Sequence, residues 1–350
     1  MFRGLTVAAM VLVNNPGTWR AVYPPLRHAE WHGWTPTDLI FPFFLFIVGV
    51  AIPLALGRRL TAGQSRIDVA AKIVRRSVII FGLGLLLHAV PDFDFANLRI
   101  PGVLQRIAAC YLVAALLFLW TGWRVQAAVI AVLLVGYWAA LTLVPVPGFG
   151  AGNLDPEGNL AAYLDRGVFG RHIWRAARVY DPEGLLSTVP AIATTLMGVL
   201  TGHWLKAGGS RKRVVHGLLA AGLAGIALGE AWNAWFPINK SLWTSSYAVF
   251  TAGAALLGLA ACYWLIEARG SVAWTRPFVV LGVNALTLFF LSSLVARLLI
   301  RTSLHPWLFD HLFAPWMGPV NASLAYAIAY LALWVVLMWL LDRSNLRLTV

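Results

Sequence analysis

Leu39-Ile40-Phe41-Pro42-Phe43-Phe44-Leu45-Phe46-Ile47-Val48-Gly49-Val50-Ala51-Ile52-Pro53-Leu54-Ala55-Leu56 holds no charged residue. Coiled as a helix at about 1.5 Å per residue, such a run approaches the ~30 Å of a hydrocarbon core. Similar runs recur along the whole chain: Arg3 to Val13, Ser77 to Val90, Gly102 to Trp120, Ala127 to Val144, Thr188 to Leu205, Val214 to Trp232, Trp243 to Ile266, Phe278 to Leu299 and Val320 to Leu341. Composition agrees, with 60% hydrophobic residues and only 12% charged, against roughly 25% charged in soluble domains. The mean hydropathy is +0.75. The sequence therefore predicts an all-α integral membrane protein: one bundle of about ten transmembrane helices over residues 1–350, with a structured outer loop between helices five and six. The first run is the short one, ended by Pro16-Gly17, and a start upstream of Met1 is expected on that ground.

Charge placement sets the orientation, because cytoplasmic loops retain Lys and Arg during insertion. Arg58, Arg59, Arg66, Lys72, Arg75 and Arg76 follow the second run, and Lys206, Arg211, Lys212 and Arg213 follow the sixth. Both loops are predicted to be cytoplasmic, as are both termini, and a bacterial inner (plasma) membrane is the expected home. The formal charge of +13 reads as a topology signal with attraction to the anionic lipid bilayer. No soluble basic domain exists to carry nucleic-acid binding. Cys110 and Cys262 both fall inside predicted helices, so neither a disulfide nor a structural metal is implied. Apolar faces on many helices are compatible with a homodimer.

Chemistry concentrates just ahead of the quoted run, in Leu26-Arg27-His28-Ala29-Glu30-Trp31-His32-Gly33-Trp34-Thr35-Pro36-Thr37-Asp38. Histidine switches charge near neutral pH, so His28 is a candidate acid–base group. His28-x-Glu30-x-His32 also has a spacing that an extended metal site would use, although no third ligand follows nearby. Trp31 and Trp34 read either as interfacial belt residues or as platforms for a sugar face. The long connection 145–187 repeats Asp-Pro-Glu-Gly at 155–158 and 181–184. Asp181 and Glu183 are candidates either for capping the next helix, with Ser187, or for direct substrate contact. Within the runs, Arg106 stands out because a buried charge costs several kcal/mol without a partner. An ion pair with Asp38, snorkelling to the interface and an anionic ligand all stay open for it. Asn14, Gln105, Asn284 and Ser292 are further polar groups at helix depth.

Six stretches carry a family resemblance. They are Phe2-Arg3-Gly4, Met10 to Gly17, Leu26 to Trp34 leading into Asp38 to Gly49, Gly102-Val103-Leu104-Gln105-Arg106-Ile107, Asp181 to Leu186, and Pro237-Ile238-Asn239-Lys240-Ser241-Leu242-Trp243-Thr244. In that order they resemble the heparan-alpha-glucosaminide N-acetyltransferase-like proteins of the transmembrane acyltransferase group. The resemblance implies transfer of acetyl from cytosolic acetyl-CoA to an amino sugar or glycan acceptor on the far side of the membrane. It places the catalytic histidine at His28, with Asp38 and Asn14 matching family positions, whereas His32 matches none. The family's Ser-Leu-Asp ahead of the Arg-Gly step is not in this chain, which begins at Met1.

On this reading a positive cytoplasmic mouth attracts the anionic donor, and Arg3, Gln105, Arg106, Lys240 and Asn284 are its expected contacts. Trp31, Trp34, Asp181, Glu183 and Asn239 are the expected acceptor contacts. His28 acts as general base or as acetyl carrier, Asp38 steadies it, and Asn14 or a backbone N–H stabilises the oxyanion. O-acetylation of a surface polysaccharide and small-molecule transport stay open as alternatives. No half-to-half symmetry of the transporter kind is evident.

Overall fold

The computed structural model describes residues 1–269 and 272–344, with backbone alone for 267–269. Among these, the only non-helical pairing is an isolated bridge between Val146 and Gly150. The helices are α1 (Phe2–Asn14), α2 (Ile40–Thr61), α3 (Arg66–Ala89), α4 (Val103–Trp120), α5 (Trp123–Leu143), α6 (Leu160–Phe169), α7 (Thr188–Ala207), α8 (Arg211–Asn233), α9 (Ser245–Arg269), α10 (Arg276–Val283), α11 (Ala285–Arg301), α12 (Leu304–Leu308) and α13 (Pro319–Arg343). Ser65, Asn159 and Ser210 start α3, α6 and α8 by accepting the orphan N–H groups of Asp68, Ala162 and Arg213.

Six helices are long and apolar enough to cross a bilayer: Pro36–Thr61, Val103–Trp120, Trp123–Leu143, Arg211–Asn233, Ser245–Ile266 and Pro319–Arg343. The pair α10 and α11, bent by 70° at Asn284, meets the same length and apolarity among the described residues only when the two are taken together. Every apolar run in the sequence lies on a helix. Three boundaries differ from expectation. The basic loop expected after the second run is largely helical, because α2 continues to Thr61 and α3 begins at Arg66, so Lys72, Arg75 and Arg76 sit on a helix face. The ninth run breaks at Asn284, which has φ −98 and ψ 23. The long connection contains α6, whose Asn159 cap was not anticipated.

Five connecting segments meet at one end of the bundle. Gly33 N–H donates to the Ile238 carbonyl (2.8 Å), and Ile100 N–H to the His172 carbonyl (2.9 Å). Trp31 Nε1 donates to the Leu154 carbonyl (2.9 Å), and Arg301 reaches Asp92 at 3.2 Å. The opposite end carries Arg58, Arg59, Arg66, Lys72, Arg75, Arg76, Lys206 and the start of α8. These are called below the site end and the basic end.

Helix α2 meets α7 backbone to backbone. A Cβ on Gly49 would lie 1.9 Å from the Thr195 carbonyl oxygen, and one on Gly198 would lie 2.0 Å from the Phe46 carbonyl oxygen. Gly198 and Gly202 form the small-residue spacing that lets transmembrane helices approach closely. Gly198→Val is expected to push the two helices apart, with a loss of about 1–3 kcal/mol or more. Thermal unfolding in detergent checks this, and an unchanged midpoint would refute the close approach.

Candidate active site

The turn Thr35-Pro36-Thr37-Asp38 opens the second membrane helix with a reciprocal capping box between Thr35 and Asp38. That box fixes Asp38, which is fully buried. Its Oδ2 accepts the N–H groups of Ala29 and Thr35, both at 3.0 Å. Its Oδ1 lies 2.6 Å from His28 Nδ1. A carboxylate only accepts, so Nδ1 carries the proton and Nε2 presents its lone pair. Tyr247 anchors the same turn by donating its hydroxyl to the Asp38 carbonyl (2.5 Å). The His28 side chain remains 43% exposed, so its free nitrogen is reachable from the site end.

The 237–244 segment closes over this dyad. Lys240 Nζ lies 2.9 Å from His28 Nδ1, 3.2 Å from Nε2 and 3.5 Å from Asp38 Oδ1. Burial lowers the Lys240 pKa against the opposing pull of Asp38 and Glu183. Asn239 is completely buried and accepts the Leu242 N–H at 2.8 Å, so it shapes this turn and has no face for an acceptor. Trp243 takes φ +52, a left-handed conformation that costs about 1–3 kcal/mol for a bulky residue. Its surroundings hold it there. The indole N–H donates to Thr194 (3.1 Å), the ring meets Phe41 and Tyr247 edge-on, and the Arg106 guanidinium lies 5.0 Å over its face.

Asp181 and Glu183 turn inward. Arg99 clamps Asp181 through Nε (2.9 Å) and Nη2 (2.5 Å), and reaches Glu183 at 2.6 Å. Asp181 also accepts the N–H groups of Trp174 and Glu183, both at 2.9 Å. With its acceptor sites filled and no side-chain exposure, Asp181 orders the loop and does not face an acceptor. Burial works against the charged form of Glu183, yet Arg99, with Arg106 and Lys240 behind it, holds its carboxyl below the usual range. Neither Asp181 nor the Ser187 side chain caps α7; the Ser187 hydroxyl engages Arg106 and Gly184 instead.

Arg106 is 2% exposed. It bonds to Ser187 and the Gly184 carbonyl, while Nε and Nη1 have no partner among the described residues. The ion pair with Asp38 is not formed. Asp38 is taken by His28 and backbone, and Arg106 meets neutral oxygens and an indole. Nearby, Asp165 accepts the Leu185 N–H at 2.8 Å, and burial pushes its carboxyl up to about 6. A carboxyl whose pKa rises from 3.8 to about 6 on folding stabilises the fold when protonated and loses that stabilisation as pH climbs from about 4 through 6. The thermal midpoint of the wild type measured relative to that of Asp165→Asn should therefore fall across that window in detergent, whatever slope the other titrating groups give both proteins. Parallel profiles would contradict the assignment.

A cavity of about 840 Å³ opens near the basic end, lined by Arg3, Arg59, Lys72, Arg75 and Arg76 together with Asn284 and apolar walls from Phe44 to Leu56. The Arg76 guanidinium lies 5.1 Å over the Tyr111 ring, which also lines it. Arg3 and Asn284 thus line one cavity. Lys240 and Arg106 do not line it; Lys240 stands at the far end beside His28. Gln105 lies in the α3–α4 seam beside Gly84 and Gly102, with both side-chain polar atoms buried and unpartnered among the described residues. Asn14 ends α1 exposed and does not join the His28 cluster. Trp31 stacks edge-on against Tyr180 at 4.9 Å, and Trp34, 42% exposed, rests on Phe250 at 4.9 Å. His32 turns to Asn239 (3.4 Å) and away from His28.

Residues 6–201 match the family described as Domain of unknown function (DUF5009). The chain belongs to that family. It is also 28% identical to heparan-alpha-glucosaminide N-acetyltransferase of Homo sapiens, over 99% of this chain and 58% of the relative. The Mus musculus protein of the same name is 30% identical, over 82% of this chain and 52% of the relative. The chain spans a little over half the length of these curated relatives. The heparan-alpha-glucosaminide N-acetyltransferase-like character expected from the six motifs thus extends over most of this DUF5009 chain.

Several residues of this family member were not singled out from sequence. The Thr35-x-x-Asp38 box is a readable helix-start signal that would have tied Asp38 to its turn. Arg99 is an ordinary loop arginine in sequence and gains meaning only from carboxylates about eighty positions away. Tyr247 lies on an apolar stretch and Asp165 on α6 in the long connection, and neither carries a local signal.

Proposed function

We propose that this chain is a membrane acetyltransferase that takes acetyl from acetyl-CoA at the basic end and delivers it to an amine at the site end. The observation that carries this reading is the exposed His28–Asp38 dyad at one end of a bundle whose opposite end opens into a cationic cavity. Five cations around apolar walls suit a donor whose phosphates are anionic and whose pantetheine arm is neutral. By the positive-inside rule the basic end is cytoplasmic.

The chemistry follows from the dyad. His28 Nε2 takes a proton from the attacking amine, while Asp38 keeps accepting the Nδ1–H hydrogen bond and, as a carboxylate, stabilises the imidazolium that forms. The amine closes on the thioester carbonyl, the C–S bond breaks, and the imidazolium returns the proton to the departing thiolate. Direct transfer needs no acetyl-histidine. An amino sugar is the acceptor class the relatives' name supports, and Trp31 and Trp34 offer it aromatic surface.

Purified protein given acetyl-CoA and glucosamine should release thiol and acetylate the sugar. Uptake into liposomes without thiol release would favour transport instead. Arg75→Ala combined with Arg76→Ala should weaken CoA binding about tenfold, or ~1.4 kcal/mol, because both cations are exposed and partly screened. Calorimetric titration checks this, with the deficit shrinking at high salt. Unchanged affinity would move the donor out of this cavity.

A further inference from the structure

We infer that Lys240 is an internal acetyl acceptor: in the absence of sugar, the site acetylates its own lysine and blocks itself. The inference rests on the acetyltransferase reading above and concerns what the same site does when no substrate arrives.

Four lysines occur in the chain: Lys72, Lys206, Lys212 and Lys240. Lys72 lines the basic cavity, and Lys206 and Lys212 flank the exposed α7–α8 turn. Lys240 alone stands at the site end. Its amine lies 3.2 Å from His28 Nε2, the separation at which a general base takes a proton from an attacking nitrogen. Its side chain is 20% exposed, so it borders the space an acceptor amine would enter. Burial disfavours its charged form, raising the share of the nucleophilic free amine. A primary amine held against the proposed base has the nucleophile–base spacing an acceptor amine needs.

The step balances without a further reagent. The Lys240 ammonium first loses a proton to solvent. The free amine attacks the thioester carbonyl of acetyl-CoA, forming a C–N bond as the C–S bond breaks. His28 Nε2 removes the second nitrogen proton and passes it to the leaving thiolate. The products are an amide on Lys240, CoA thiol and one released proton. The amide carries no charge, sits where the acceptor amine would enter and occupies the approach to Nε2.

The test is incubation of the detergent-purified full chain with acetyl-CoA, with and without glucosamine, followed by peptide mass mapping of all four lysines. Without sugar, acetyl should accumulate on Lys240 ahead of Lys72, Lys206 and Lys212, and added glucosamine should suppress it. His28→Ala should slow Lys240 acetylation about 10²-fold or more, the contribution of a positioned base, while leaving any background on Lys212 unchanged. Protein already acetylated on Lys240 should turn over glucosamine more slowly in proportion to its occupancy. Sugar turnover with Lys240 unmodified would overturn this inference and leave the acetyltransferase reading standing. Lys240 acetylation that is equal to that of Lys212, or unaffected by His28→Ala, marks ordinary chemical acetylation and also overturns it. Absence of any acetyl transfer, with CoA bound, would overturn both.

Discussion

His28→Ala abolishes acetyl transfer while the protein still folds and inserts. Loss of a positioned general base costs about 10² to 10⁴ in rate, and the fall should appear in kcat. Folding is spared because the side chain is 43% exposed and because Asp38 keeps the N–H groups of Ala29 and Thr35 at 3.0 Å each, with Lys240 at 3.5 Å. The carboxylate therefore does not become an uncompensated buried charge. Radiolabelled acetyl transfer from acetyl-CoA to glucosamine, paired with thermal unfolding, checks both halves. Turnover like that of the wild type would remove His28 from the mechanism.

Arg99→Met produces the opposite pattern, a large loss of stability whose effect on activity follows from the fold. Removing one partner of a buried ion pair typically costs about 3–5 kcal/mol, because the other charge is left stranded. Here two carboxylates are stranded together, Asp181 with no side-chain exposure and Glu183 with 10%. Arg99 itself is 19% exposed, so water repays part of the loss and the lower end of that range is expected. Adding Asp181→Asn to Arg99→Met should recover part of the stability by neutralising the more buried acid. Thermal unfolding in detergent of the single and double variants measures this. A single variant as stable as the wild type would show that Arg99 does not hold the loop over the site.

Much of this organisation is visible in the chain before folding. Apolar run length places the runs on helices, six of which among the described residues are long and apolar enough to cross a bilayer, because lipid requires a backbone hydrogen-bonded within its own segment. It does not reveal where a helix starts when the first turns are charged, which is why Arg66 to Arg76 of α3 reads as a loop. It also misses the bend at Asn284, which no proline marks and which Gly282, two residues earlier, signals only weakly. His28 and Asp38 are legible because they share one short segment. Lys240 is recognisable as a motif residue, but its place beside the imidazole depends on a contact across 212 positions. Asp181 and Glu183 invite a substrate role in sequence, since acids flanking a helix start are often exposed. Their inward turn follows from Arg99, on a different loop. The cavity joins Arg3, Arg59 and Arg76 from three helices with Asn284 from the break between α10 and α11, a juxtaposition that no local pattern encodes.

In the proposed reaction, donor and acceptor meet from opposite ends of the bundle. The lining of the basic cavity reaches Phe44, six residues or about 9 Å of helix from Asp38. Proteoliposomes with the chain in one known orientation separate the two faces. With acetyl-CoA supplied only on the basic face and glucosamine only on the His28 face, acetylated sugar should form on the His28 side, and reversing the two compartments should give none. Product that forms only when both reactants share one face would contradict transfer through the bundle.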